Sequence, residues 1–460
     1  MAVKSGPNVE VRANRHVSRG TDTLLVALLL IVSGNPAAIL VAPGFGDVIL
    51  TALAIVLGLM LLSKNIHFWN SRTLWIALGF LAILLAQAFD FSFLPIATIL
   101  GFLTRVFVGA AVVWLVTDFP TAYVKAVVYI SAYALVVYAV DQATLQIGFN
   151  FRDLFSPLER LIAIDADHRF VLFYSFMMNG AYRNAAFFRE PGLYAGYILL
   201  ALMFLLLRRE HFRRSQGVAY GALLMGSLIT TFSTAGFVTL PFVLAAGALR
   251  EHPQATKKAH HTRRASKGIW SVVILVLSAA IVWRAGQGAE FVGEKIIGDL
   301  QAVQYQEGGY EITRFGAVGF DMAAIVQRPI LGWGLHSATR FADLPQELAD
   351  LTPSGGVSGF ARSFGLLGLS IYAYLVWSSM RRQVGGRAIS ALFVTFTVLL
   401  IAQPNTFLNY PLFLGLMFLG ESGAPSLRPR SIRHRLGNIR RRRVENCGLS
   451  TDSTFATNQC

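Results

Sequence analysis

Residues 96–117 read IATILGFLTRVFVGAAVVWLVT, an apolar run of 22 residues interrupted by one charge, Arg105. A helix of about 17–25 such residues crosses a hydrocarbon core about 30 Å thick. Further apolar runs of comparable character lie at 23–43, 47–63, 74–89, 121–141, 191–207, 217–232, 235–249, 269–283, 356–380, 388–402 and 408–420. The pair 217–232 and 235–249 also reads as one long span broken at Ser233-Thr234-Ala235-Gly236. Backbone polar groups in lipid must be satisfied internally, and no strand-like alternation is present, so helices are the natural reading. Composition agrees: of 460 residues, 54% are hydrophobic and 14% charged, with a mean hydropathy of +0.54. Soluble domains carry about 25% charged residues. This excludes a cytosolic enzyme, a disordered scaffold and a disulfide-built secreted protein. The expected fold is an all-α integral membrane protein of about 12 transmembrane helices.

The charges set the expected orientation. The net charge is +15, from 40 Lys+Arg against 25 Asp+Glu. Of the 40 basic residues, 27 fall in the termini and in segments 64–73, 208–216, 250–268 and 381–387. The two long loops on the other side, 142–190 and 284–355, hold five each. Cytoplasmic loops collect Lys and Arg, so both termini are expected in the cytoplasm and the long loops outside. Residues 1–20 form a cytoplasmic segment, 21–420 the membrane domain, and 421–460 a basic, disordered tail that touches anionic lipid. The first run lacks a small-residue cleavage site and contains Asn35-Pro36, so it reads as a retained helix. Orientation accounts for most of the basic excess, and nucleic acid is not an expected partner. The two cysteines, Cys447 and Cys460, both lie in the tail, which excludes a disulfide framework or a Cys-based metal site in the membrane part.

External arginines run against the charge rule, and they point to an anion. Arg183, Arg189 and Arg314 border spans or helix-like segments. The plainer reading makes each a paired surface arginine or an interface anchor. The sharper one is a polyanion site, since a guanidinium fork grips phosphate oxygens two at a time. Arg105 inside a span costs about 2.5–3.5 kcal/mol on insertion scales and is expected to face the bundle interior. It either lines a path for a lipid pyrophosphate or pairs within the bundle, and Arg362 near the start of 356–380 carries the same two readings. Segment 289–307 is helix-like, and loop 142–190, which contains the apolar stretch 170–174, packs on or dips into the outer face of the bundle.

The run Arg183-Asn184-Ala185-Ala186-Phe187-Phe188-Arg189-Glu190-Pro191-Gly192-Leu193-Tyr194-Ala195 resembles an Arg-x-x-Gly-x-Phe-x-Glu-Pro pattern. That pattern opens a span in the O-antigen ligase / Wzy-type polysaccharide polymerase superfamily. Thr231-Phe232-Ser233-Thr234-Ala235-Gly236 resembles its Thr-x-Ser-Arg-x-Gly break. Arg314 through Arg328-Pro329-Ile330-Leu331-Gly332-Trp333-Gly334 resembles its Arg, short helix and Pro-x-x-Gly-x-Gly stretch. Gly365-Leu366-Leu367-Gly368 resembles the Gly-Leu-x-Gly that begins the next helix. Departures are Ala186 for Gly, Thr234 for a frequent Arg, and Ser354-Gly355 where ligases carry His-Asn. The last favours a polymerase over a ligase.

The resemblance implies a membrane glycosyltransferase outside the bacterial cytoplasmic (inner) membrane. A sugar hydroxyl attacks the anomeric carbon of a polyprenyl-pyrophosphate-linked oligosaccharide, and polyprenyl pyrophosphate leaves, with no metal or cofactor. The product is an O-antigen, capsule or exopolysaccharide. A chain-length regulator and a flippase are implied partners. Arg183, Arg189 and Arg314 are the expected pyrophosphate ligands, joined by Arg105 and Arg362. Glu190 is the first candidate base, against the reading of a helix-start carboxylate that favours the dipole or pairs with Arg189. His336 is the second candidate base. A ligase for finished glycans and a transporter of lipid-linked sugars are the alternatives. A transporter would show inverted repeats and intramembrane charges, and the sequence shows few of either.

Overall fold

A computed structural model describes residues 8–34, 45–64, 71–149, 151, 154, 168–171, 174–177, 182–249, 314–340 and 355–420. The span expected at 269–283, the helix expected at 289–307 and the tail 421–460 lie outside the described residues. Helix α1 covers Asn8–Gly34, α2 Phe45–Ser63, α3 Ser71–Asp90, α4 Ile96–Leu115 and α5 Phe119–Gln146. Strands β1 (His168–Val171) and β2 (Tyr174–Met177) follow, then α6 (Pro191–Leu207), α7 (Arg214–Thr230) and α8 (Thr234–Ala248). The last group is α9 (Arg314–Gln327), α10 (Ser337–Arg340), α11 (Gly356–Gln383), α12 (Ala388–Ala402) and the short α13 (Pro411–Gly415). Among the described residues four helices, Thr73–Asp90, Ile96–Leu115, Phe119–Gln146 and Gly356–Gln383, are long and apolar enough to cross a membrane. Shorter apolar helices include Pro191–Leu207, Thr234–Ala248 and Ala388–Ala402.

Helix α6 is the centre of the bundle. All its residues but Gly192 and Leu206 are buried. Such all-round burial explains why its sequence has no polar face. Its few polar groups are satisfied across helices: Tyr194 Oη donates to Ser131 Oγ at 2.8 Å and Tyr197 Oη to the Ser33 carbonyl at 2.8 Å. In turn Tyr123 Oη donates to the Tyr197 carbonyl at 3.0 Å.

Inter-helix bonds separate two ends of the bundle. At one end the Thr117 amide meets Asp22, His211 approaches Asp118, Arg208 bonds Gln383, and Arg382 Nη1 donates to the Gly420 carbonyl at 2.6 Å. The arginines between α6 and α7 and between α11 and α12 collect here. At the opposite end lie the start of α6, the α7–α8 break, the start of α11 and the end of α12.

One open reading is resolved, and two expected spans differ. The alternatives for 217–249 resolve into two helices separated at Thr231–Ser233. The stretch 356–380 is helical but broken at Gly365, with φ 68° and ψ 179°. The span expected over 408–420 is instead a chain of short turns, Phe407–Asn409, Pro411–Gly415 and Leu416–Phe418. Pro411 lacks an N–H to extend a helix from Asn409, and the next amide, Leu412, donates to Ser33 Oγ at 3.2 Å. Phe170, Val171 and Tyr174 belong to a pair of antiparallel strands, with Phe170 opposite Ser175 and Val171 opposite Tyr174.

Candidate functional site

The segment leading into α6 is held by one side chain. Asn184 Oδ1 accepts from the Ala186 amide at 2.9 Å and from Tyr174 Oη at 3.2 Å. Its Nδ2 donates to Thr230 Oγ1 at 3.0 Å, and its backbone amide to the Thr230 carbonyl at 2.8 Å. The Ser175 amide on β2 closes the knot by donating to the Ala186 carbonyl at 2.6 Å. Ala186, where the resembling pattern has Gly, adopts φ 50°. That left-handed geometry suits Gly and strains an L-residue. Arg183 Nε donates to the Thr231 carbonyl at 3.2 Å, so its guanidinium sits at the α7–α8 break.

Phe188 stacks on Tyr194 and Tyr197 at 5.6 and 4.6 Å between ring centres. The next two residues, Arg189 and Glu190, therefore emerge at the head of α6. Glu190 occupies the N-cap, and Pro191 starts the helix, where a missing N–H costs nothing. The Glu190 side chain accepts no bond from the helix amides, so capping does not occupy it. Tyr410 lies within electrostatic reach of Glu190, Arg189 and Arg105. These four groups come from three distant parts of the chain. Arg105 Nη2 is 3.6 Å from Asp47 Oδ1, with side-chain exposures of 38% and 69%. It is therefore not sealed in the bundle interior as the insertion cost implied; a carboxylate at a partly open position compensates it.

The α7–α8 break uses its own polar residues. Thr231 Oγ1 donates to the Leu228 carbonyl at 2.7 Å and accepts from the Ser233 amide at 3.2 Å. Ser233 Oγ caps α8 by accepting from the Gly236 amide at 3.2 Å.

The turn 329–334 docks into the break in α11. The Trp333 and Gly334 amides donate to the Arg362 and Ser363 carbonyls at 2.8 and 2.9 Å. The Leu366 amide returns a bond to the Pro329 carbonyl at 2.7 Å. Gln87 Nε2 ties both sides, donating to the Ser363 carbonyl at 2.7 Å and to the Leu331 carbonyl. Arg328 pairs with Asp90 and lies over the rings of Phe91 and Trp333, 4.2 and 4.7 Å from their centres.

Arg362 is 0% exposed, directly beneath this joint. Its Nε donates to the Arg340 carbonyl at 3.0 Å, and its Nη1 is 3.8 Å from Asp321 Oδ1. Asp321 Oδ2 also accepts from Ser358 Oγ at 2.8 Å and from the Gly355 amide at 3.1 Å. Gln403 continues the network: its Oε1 accepts from the Val357 and Ser358 amides at 3.2 and 3.3 Å. Burial raises the Asp321 pKa, against the pull of Ser358, the two guanidiniums and the Gly355 amide. Burial lowers that of Arg340 to about 10, which leaves it protonated at neutral pH.

Arg314 is the first residue of α9, the helix that Asp321 anchors to α11. His336 lies apart from Glu190's group. Its Nδ1 accepts from the Ala338 amide at 3.2 Å at the start of α10, and its ring packs on Phe93 at 4.9 Å.

The structure thus sets Arg189 and Glu190 at the head of α6, pairs Arg105 with Asp47, and seats Arg183 at a break held by Asn184. It places Arg362 in a buried knot with Asp321 and Arg340. Sequence reasoning missed Asp321, Arg340, Gln403 and Tyr410. The available signal was weak: Gln403-Pro404-Asn405-Thr406 is a polar cluster between two apolar runs, and Asp321 is the only acid in α9. Among the described residues no three His, Cys, Asp or Glu side chains are grouped to hold a metal ion. Set against protein-family models, curated proteins and solved structures, the chain matches none.

Proposed function

We propose that the chain is a membrane glycosyltransferase that joins polyprenyl-pyrophosphate-linked oligosaccharide repeats into a surface or exported polysaccharide. The observation that carries this reading is the placement of Arg189 and Glu190 side by side at the head of the central helix, next to the α7–α8 break where Arg183 is seated. It combines guanidiniums for a leaving anion with a carboxylate for a proton. In the reaction, an acceptor hydroxyl oxygen bonds to the anomeric carbon of the donor as the bond from that carbon to the pyrophosphate oxygen breaks. The hydroxyl proton passes to Glu190, and the leaving oxygen carries the bonding electron pair. Arg189 and Arg183 meet the charge that develops there, with Arg105, paired with Asp47, and Arg314 from the head of α9 as further donors. A preorganised donor of this kind contributes about 3–4 kcal/mol. A positioned base adds about 10²–10⁴-fold. Arg362, being fully buried, acts by holding the α9–α11 joint. The chemistry belongs outside the cytoplasmic membrane, opposite the arginine-rich end, in keeping with the charge rule.

The test is the length profile of the surface polysaccharide in cells that carry R183Q, R189Q, R314Q or E190Q as the sole copy. Loss of long chains with retention of single-repeat product supports the polymerase. Normal long chains in every variant would sink it. Long chains that build up on the lipid carrier identify a ligase instead, and lipid-linked units trapped inside identify a transporter.

A further inference from the structure

The loop between α12 and α13, residues 403–410, carries two side-chain amide atoms that the fold does not pair. Asn405 Nδ2 and Asn409 Oδ1 are buried atoms without a hydrogen-bond partner among the described residues. Such an atom pays the cost of leaving water with no bond in return when it stays unsatisfied. Two within five residues of one loop call for an explanation. The rest of the loop is tightly held. Gln403 receives the Val357 and Ser358 amides, and Thr406 Oγ1 donates to Tyr410 Oη at 3.3 Å. Phe407 wedges against Gly196 of α6, where a Cβ would collide with its ring, and meets Tyr197 at 5.3 Å. The wedge fixes the loop to the helix that begins at Glu190. At the loop's end, Tyr410 senses Glu190, Arg189 and Arg105.

The two atoms have opposite needs: Asn405 Nδ2 requires an acceptor and Asn409 Oδ1 requires a donor. A pyrophosphate diester offers acceptors alone, so it leaves Asn409 unanswered. A hydroxyl donates and accepts, and a sugar ring carries several at neighbouring carbons. We propose that loop 403–410 is the sugar-binding wall of the site, with Asn405 and Asn409 holding hydroxyls of the lipid-linked oligosaccharide. This rests on the glycosyltransferase reading and adds the residues that recognise the sugar rather than its leaving group.

The experiment uses the full-length chain in lipid nanodiscs, as wild type, N405A and N409A. The probe is the oligosaccharide freed by mild acid from the host's own lipid-linked pool, with inorganic pyrophosphate as the control. The oligosaccharide is expected to raise the wild-type Tm. Each variant should need at least ten times more for the same rise, with the pyrophosphate response unchanged. Without ligand, the variants should melt close to wild type, because the atoms singled out, Asn405 Nδ2 and Asn409 Oδ1, have no partner to lose. Equal oligosaccharide responses in all three proteins overturn the proposal, and so does a wild type that does not respond. A lower unliganded Tm with an unchanged response overturns it too, and assigns the amides to the fold or to a bound water. If an alanine variant does not fold, N405S and N409S replace it under the same criteria. The glycosyltransferase reading is judged separately, by the chain-length profiles of the arginine and Glu190 variants.

Discussion

Ala186 shows how much one backbone angle can explain. Its φ of 50° is tolerated because Asn184 Oδ1 takes its amide and the Ser175 amide takes its carbonyl. A β-branched side chain cannot share that geometry without strain. A186V should therefore lower the Tm by the equivalent of about 2 kcal/mol or more, while A186G stays within about 1 kcal/mol, since relief of strain offsets lost burial. Scanning fluorimetry of the two purified variants checks this, and equal Tm values would refute it. Asp321 permits a prediction in pH. Burial raises its pKa, so the folded chain holds its proton more tightly than the unfolded chain. The stability it contributes is complete below its ordinary value of 3.8 and is lost as pH rises through the folded value. The Tm difference, wild type minus D321N, should thus be greatest below pH 4 and shrink as pH rises. A difference that is flat or grows with pH contradicts this. At this scale the sequence was readable where neighbours fix the local geometry, as Pro191 does by setting Glu190 at the head of α6. It was opaque for Arg362, because a lone arginine near a helix start reads alike whether it faces a ligand or an aspartate 41 positions earlier in the chain.

Elements were readable where they were uniform. Apolar length alone marked α4, α5 and α11, since nothing but lipid or a large core accepts such runs. The interruptions were harder. Gly365 is one glycine in a glycine-rich run, and its left-handed φ follows from a partner about thirty residues earlier. A Cβ at Gly365 would strike the Ile330 carbonyl. G365A should therefore cost more than about 3 kcal/mol, as steric overlap adds to the strain of φ 68°. Hydrogen exchange gives a local readout: the Trp333 and Gly334 amides, protected in wild type by the Arg362 and Ser363 carbonyls, should exchange faster in the variant. Unchanged exchange would show that the joint does not depend on glycine at this position. The stretch 408–420 misled for the opposite reason. It is apolar enough to span, yet Pro411 and the bond from the Leu412 amide to Ser33 tie it into turns.

For the molecule as a whole, composition identified the solvent, and the placement of arginines gave an orientation to test. With Cys447 and Cys460 changed to Ser, single cysteines at Tyr182 and Gln216, both exposed, should react with an impermeant maleimide from opposite sides of the membrane. In intact cells stripped of their outer layers, labelling at Tyr182 and not at Gln216 is expected. The reverse would invert the orientation. No reading of one chain reveals which distant loops converge, and for that reason Tyr410 and Gln403 came to light only in three dimensions. The joint between 329–334 and α11 also bears on how the molecule is made. A broken helix exposes peptide groups that lipid cannot satisfy. The turn that covers them precedes α11 in the chain, and so leaves the ribosome first. By the time the broken helix is made, its cover has already been synthesised, and the order of translation itself supplies the partner before the break appears.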